Sequence, residues 1–130
     1  MIETVHVAPP HSLIFVMGAE SADFPDLVRG GGVSWTQTCI LVTTLAEVDG
    51  ETAITLTDEP PPSDLLRGLD LACKTVLRTP SGEVQVCDTS LEALLALKIW
   101  QECVTVEIWT NDRTDPDRIV VIVGPPDLES

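Results

Sequence analysis

The chain has 130 residues, of which 44% are hydrophobic, and it carries 21 acidic against seven basic residues, for a formal net charge of −14. This length suits one domain with its own core, so we expect residues 1–130 to form a single domain. The charge argues against nucleic acid as a partner, because phosphates are bound through Lys and Arg, and it disfavours anionic membranes. It permits a basic protein partner, although high negative charge also serves solubility alone.

Turn-forming residues separate segments that are rich in β-branched residues, which is typical of strands. Regularly spaced strands without a convincing long helix predict an all-β fold, an antiparallel β-sandwich of about eight strands with at most one short helix. The predicted strands span residues 3–7, 12–19, 35–45, 51–57, 69–77, 83–89, 102–110 and 118–124.

The N-terminal stretch has no basic segment of the kind that opens a signal peptide. The apolar run Leu13–Met17 is far shorter than the roughly 20 residues of a membrane-spanning helix. We therefore expect no membrane association and a cytoplasmic location. His6 and His11 are the two histidines of the chain, and the prolines between them break any regular spacing that would direct both at one metal.

Two tight turns predict hairpins. Asp49-Gly50 suits a type I′ turn, since Gly accepts positive φ without cost, so the strands on either side are expected to pair. In the second turn Pro80 presets φ and Gly82 follows at a position that takes the left-handed conformation. The strands that flank this turn are also expected to pair.

The segment 90–97 satisfies two patterns. Thr89 and Glu92 form a capping-box pattern before good helix formers, which favours a short helix. Alternate Leu and Ala residues over the same stretch also fit one face of a strand. The sequence favours one or two helical turns followed by a strand and leaves the alternative open.

Four cysteines, at positions 39, 73, 87 and 103, are widely spaced, and no CxxC pair occurs. Each lies in a predicted strand, where a buried thiol behaves as a small hydrophobic group. We expect reduced core thiols, with a disulfide between Cys73 and Cys87 as the less favoured alternative. The sequence predicts no metal site and no cofactor.

The stretch 102–110 alternates as a half-buried strand does, with Val104, Val106 and Ile108 on one face and Glu107 and Trp109 on the other. Trp100 and Trp109 are expected to pack over a sheet edge, with the indole N–H directed to water or a carbonyl. A ligand platform is the alternative for these rings.

The C-terminal half resembles small bacterial β-sandwich proteins of the competence protein J type. The resemblance rests on the run from Leu97 to Thr110 with its turn at 100–102, the acidic loop after it, and the strand Ile119–Val123 before Pro125. It extends in outline to residues 69–88, about half of the chain, but the usual Pro, Gly and aromatic residues of the turn are replaced here by Trp100, Glu102 and Cys103. The group includes an inhibitor of a DNA-entry nuclease, so the resemblance implies a β-sandwich and an inhibitor-type role.

Motifs of catalysis are absent from the sequence, and the glycines at 30–32 lack the Lys-Ser/Thr sequel of a phosphate loop. The leading hypothesis is therefore a non-catalytic acidic binding module, of the inhibitor or immunity type, that docks a basic protein. Its predicted contacts are Asp58, Glu59, Asp112, Asp115 and Asp117. Two alternatives stay open: a small-ligand or metal-dependent protein, conceivably an enzyme, that uses His6, His11 or a cysteine, and a structural subunit of a homo-oligomer.

Overall fold

Ten strands and three short 3₁₀ turns form the regular structure of this computed structural model, which describes residues 2–18, 23–99 and 101–125. No helix in this described part of the chain is long and apolar enough to span a membrane. The 3₁₀ turns cover Pro10–Ser12, Glu47–Asp49 and Ser63–Leu66. The strands are β1 (Ile2–Val7), β2 (Leu13–Gly18), β3 (Val33–Trp35), β4 (Cys39–Thr43), β5 (Thr52–Thr57), β6 (Asp70–Arg78), β7 (Glu83–Cys87), β8 (Ala93–Lys98), β9 (Cys103–Thr110) and β10 (Arg118–Gly124).

The strands form two five-stranded sheets. Sheet A has the order β1-β5-β10-β9-β6 and sheet B the order β3-β4-β2-β7-β8. Every neighbouring pair is antiparallel except β5 and β10, which run parallel. The predicted all-β sandwich is confirmed. Two more strands occur than expected, because 35–45 spans the end of β3 and all of β4, and because β8 is a strand.

The core lies between the two sheets and is built from alternate residues of each strand, as the period of two requires. The predicted inner face of β9 is confirmed, since Val104, Val106 and Ile108 are buried. Burial of each such side chain contributes about 1.5–3 kcal/mol. The other large buried side chains of this core include Ile14, Val16, Ile40, Val42, Ile54, Leu56, Leu77, Val84, Val86, Ile119 and Val121.

Both predicted hairpins are wrong. β4 lies in sheet B and β5 in sheet A, and β6 and β7 are likewise in different sheets. The turn at Gly82 does form, with φ of 75° and a hydrogen bond from its N–H to the carbonyl of Thr79 (2.9 Å). Near Gly50 a 3₁₀ turn lengthens the connection instead. In each case the connection crosses between the sheets, because each strand takes its partners from elsewhere and still buries its apolar face in the common core.

The helix predicted within 90–97 is also wrong, and the strand alternative is right for β8. Asp88 replaces Thr89 as the residue that organises this turn, since its Oδ1 accepts hydrogen bonds from the backbone N–H groups of Ser90 (2.9 Å) and Glu92 (3.2 Å). Leu91 has a φ of 62°, which no α-helix contains. The turn therefore leads directly into β8, which pairs with β7.

Candidate protein-binding surface

Two acidic loops lie side by side at one end of the sandwich. The first joins β4 to β5 and the second joins β9 to β10. Backbone hydrogen bonds connect them, from the N–H of Leu45 to the carbonyl of Pro116 (2.9 Å) and from the N–H of Ala53 to the carbonyl of Asp117 (2.8 Å). We call this surface the acidic end, and its exposed acidic residues are Glu47, Asp49, Glu51, Asp112, Asp115 and Asp117.

The loop from β9 to β10 is shaped by two of its own side chains. Asn111 Oδ1 accepts hydrogen bonds from the N–H groups of Asp117 (3.1 Å) and Arg118 (3.2 Å). Asp112 Oδ1 accepts from the N–H groups of Thr114 (2.9 Å) and Asp115 (3.1 Å). These bonds favour the carboxylate and lower the pKa of Asp112, with the Thr114 N–H as the largest cause. The loop is therefore held in one shape by its polar side chains.

A third loop, residues 28–32, is fastened to the same end through one threonine. The Thr43 hydroxyl donates to the carbonyl of Thr114 (2.7 Å) and accepts from the N–H of Gly32 (2.7 Å). Gly31 has a φ of 93°, and a Cβ at this position would lie 3.2 Å from both the Thr114 carbonyl oxygen and the Thr43 hydroxyl. The glycines at 30–32 thus allow a close approach of two loops, which gives them a role beyond turn flexibility.

A cleft of about 740 Å³ opens beside these loops, between the edge strands β3 and β6. Arg29 and Arg113 line it together with Asp70 and Asp112, so both signs of charge meet there. The other lining residues are Val28, the glycines at 30–32, Val33, Leu71, Ala72, Thr110 and Thr114. In contrast with the acidic end, the cleft has no dominant charge.

The carboxylates of the acidic end are exposed, and two of them, Asp112 and Asp117, also accept hydrogen bonds within their own loop. Within residues 2–18, 23–99 and 101–125, none of the six forms a salt bridge with Lys or Arg. Val48 lies between two of them at the tip of the first loop and is 89% exposed. An exposed apolar side chain surrounded by like charges costs free energy in solution, whereas a complementary basic surface compensates for both features.

The five predicted contact residues do not form one surface. Asp112, Asp115 and Asp117 lie at the acidic end, but Asp58 and Glu59 follow the far end of β5. Six residues of strand separate the two groups by about 20 Å. The structure instead brings the loop that contains Glu47, Asp49 and Glu51 to the predicted aspartates. The sequence EVDGE at 47–51 contains three acidic residues, but the pair Asp49-Gly50 was interpreted only as a hairpin turn.

The residues of the metal or enzyme alternative are scattered. His6 is exposed on the edge strand β1, and His11 is exposed in the turn before β2. In the described residues, no three His, Cys, Asp or Glu side chains are grouped so as to hold a metal ion. The structure brings neither histidine into a common site with a cysteine.

Three cysteines are buried and unbonded, as the sequence predicts, and Cys103 is partly buried. Cys73 belongs to sheet A and Cys87 to sheet B, and the disulfide alternative does not form. Burial raises the pKa of Cys39 to about 12 and the pKa values of Cys73 and Cys87 to about 11. At neutral pH these three thiols are protonated, and a protonated thiol is a poor nucleophile.

Trp109 is half-buried on the outer side of sheet A. Its indole N–H donates to Glu107 Oε1 at 2.9 Å, so its acceptor is a carboxylate and not the water or carbonyl that was expected. The indole edge is thereby fixed by its neighbour two residues earlier on β9. Trp100 lies outside the described residues.

The fold is that of the β-sandwich proteins to which the sequence showed a resemblance. No protein-family model matches the chain, and no curated protein matches it. Among solved structures the chain is similar to ComJ, described as an inhibitor of the DNA degrading activity of NucA, from Bacillus subtilis. The TM-score is 0.55 with 11% sequence identity, over 97% of this chain and 99% of ComJ. At this identity the likeness establishes a shared fold, and the predicted resemblance is confirmed.

Proposed function

We propose that this protein is a non-catalytic binding protein of the inhibitor type, which docks a basic protein through the acidic end. The observation that carries the proposal is the grouping of six exposed carboxylates on two loops that are hydrogen-bonded to one another, with the exposed Val48 at the tip of one of them. Such a surface attracts a basic partner over long range and presents an apolar contact at the tip of one loop. The shared fold with a nuclease inhibitor supports the inhibitor class.

Order in the loops also supports this proposal. Asn111 and Asp112 fix the backbone of the loop 111–117, and Thr43 joins this loop to residues 28–32, so little conformational entropy is lost there when a partner binds. Preorganised carboxylates, which outnumber Arg29 and Arg113 on the same loops, increase the rate of association with a basic partner and select against acidic partners. The arrangement is suited to recognition of a surface and needs no chemical step.

Capture from the native cell lysate tests the proposal with three immobilised proteins: the wild type, a variant with Glu47→Gln, Asp49→Asn and Glu51→Gln, and a control with Asp58→Asn, Glu59→Gln and Glu102→Gln. Each variant loses three charges, but at opposite ends of the sandwich. We expect one basic protein to be retained by the wild type and the control at low salt and released at high salt.

The same protein should not be retained by the acidic-end variant. The captured protein is then purified and assayed for its own activity, including DNA degradation, with and without the wild-type chain; loss of its activity supports the inhibitor class. Capture of no basic protein at low salt, or equal retention by all three immobilised proteins, contradicts the proposal.

A further inference from the structure

The outer side of sheet A has a covered half and an open half. Residues 58–69 pack over the first half, where the Arg118 guanidinium donates to the carbonyls of Leu65 and Arg67 (both 3.2 Å) and Thr55 is buried. Over β6 and β9, by contrast, Leu71 is 46% and Val76 39% exposed. We call this second half the open face, and its outward side chains are Leu71, Lys74, Val76, Arg78, Thr105, Glu107 and Trp109.

The open face differs from the rest of the molecule in charge. On this face β6 and β9 direct the basic residues Lys74 and Arg78 outward, and Glu107 is the one acidic residue that these two strands direct the same way. Two copies of a chain with a net charge of −14 repel each other through most of their surfaces. This face allows them to approach with little repulsion.

The strand register makes the open face complementary to itself. Across β6 and β9, Leu71 pairs with Trp109 and Lys74 pairs with Glu107. A β-bulge between Leu71 and Cys73 keeps both Leu71 and Lys74 on the outer side, although they are three positions apart. A two-fold axis parallel to the strands and midway between β6 and β9 exchanges the members of each pair. Lys74 then lies over the partner subunit's Glu107, and Leu71 over the partner subunit's Trp109.

We propose that a second copy of this chain packs on the open face, about such a two-fold axis, to form a dimer. Two sheets stacked in this way bury the exposed Leu71 and Val76 and the half-buried Trp109 on either side of the reciprocal ion pairs. A two-fold contact of this kind is closed, so it yields a dimer and no filament. The open face adjoins the acidic end at the cleft that Leu71 and Asp112 both line, but the residues that pair in the dimer lie on β6 and β9, so the dimer does not depend on the proposed binding function.

Sedimentation equilibrium of the full chain at increasing concentration tests the dimer against the monomer mass of 14.0 kDa. We expect the wild type to reach twice that mass. Lys74→Glu and Glu107→Lys should each weaken dimerisation by about tenfold or more, because each places like charges opposite one another in the dimer. The double variant K74E/E107K should dimerise like the wild type, since it restores both ion pairs in the reverse sense.

Two further variants separate the interface from general effects. Leu71→Asp should abolish the dimer, whereas Val48→Glu, which places a charge on an equally apolar but 89% exposed site at the acidic end, should leave it unchanged. Thermal melts establish that each variant is folded. A wild type that remains a monomer at a protein concentration of about 1 mM overturns the proposal, because a dissociation constant above that value is too weak to matter here. A double variant no better than the single variants also overturns it.

Discussion

The two ends of the sandwich each fasten their loops through a threonine but carry different charges. At the acidic end the Thr43 hydroxyl joins the loops at 28–32 and 111–117. At the opposite end Thr79, fully buried, donates its hydroxyl to the carbonyl of Gln101 (2.8 Å) and its N–H to the carbonyl of Glu102 (2.7 Å). Thr43 ties a loop of one sheet to a loop of the other, whereas Thr79 extends the pairing of β6 with β9 into the loops that follow and precede these strands.

The two ends differ in the charges of the side chains that these loops expose. At the opposite end Asp58 and Lys98 line the same surface pocket, and Arg78 and Glu102 lie nearby, so the charges are mixed. The acidic end gathers six carboxylates, which outnumber Arg29 and Arg113 on its loops. Folding requires the fastening but not the like charges, which raise the free energy of the folded state. The comparison therefore separates residues that serve stability from residues that do not.

The close approach at Gly31 should produce the largest stability effect. Gly31→Ala adds a Cβ against the Thr114 carbonyl at a positive φ, and we expect a loss of about 3 kcal/mol in urea unfolding. Gly30→Ala is the matched control, because Gly30 also has a positive φ (85°) but no atom lies within 4 Å of its Cβ position; a loss of about 1 kcal/mol is expected. Equal losses would show that strain alone matters and that the loops are not in close contact.

The two threonines allow a direct comparison of the ends. Thr43→Val leaves the Gly32 N–H and the Thr114 carbonyl without their partner, and we expect a loss of about 2–3 kcal/mol. Thr79→Val removes one hydroxyl bond, to Gln101, and should cost about 1–2 kcal/mol. Hydrogen exchange should increase in the loop 111–117 for the first variant only. Faster exchange there in Thr79→Val would contradict the independence of the two ends.

Removal of negative charge should stabilise the fold at the acidic end but not at the opposite end. The combined change of Glu47→Gln, Asp49→Asn and Glu51→Gln relieves repulsion and should stabilise the fold by up to about 0.5–1 kcal/mol at low salt. High salt should remove this gain. The control variant of Asp58, Glu59 and Glu102 should show no gain, because basic residues are close to those positions. Chemical denaturation at two salt concentrations measures both, and a destabilised acidic-end variant would contradict the account.

Asp112 should give the smallest effect, a change in acid sensitivity. Its pKa is lowered in the folded protein by the N–H groups of Thr114 and Asp115. The unfolded chain therefore takes up a proton at higher pH than the folded one, and the stabilisation, complete above the unfolded pKa, is lost as pH falls through the folded pKa. Asp112→Asn should flatten this part of the stability profile in urea titrations at acidic pH. An unchanged acid slope would indicate that the turn bonds do not act on this carboxylate.

Periodicity predicted the sandwich because the alternation in segments such as Val104–Ile108 reflects directly which side chains are buried. Strand pairing could not be derived in the same way. Asp49-Gly50 and Pro80-Ser81-Gly82 indicate that the chain turns at these points. Whether the next strand joins the same sheet depends on which other strands already pair with the strand before the turn. Half of the candidate site was predicted, at Asp112, Asp115 and Asp117. The remainder was missed because contact between the loops depends on that long-range pairing.

The association rate of the captured basic partner with the immobilised chain tests the central claim most directly, namely that the acidic end is the binding surface. Electrostatic steering predicts that the rate falls about tenfold for the variant of Glu47, Asp49 and Glu51 and that its dependence on salt becomes weaker. The rate for the variant of Asp58, Glu59 and Glu102 should remain close to that of the wild type. Equal rates for the two variants would show that net charge alone governs the encounter, and the assignment of the surface would be wrong.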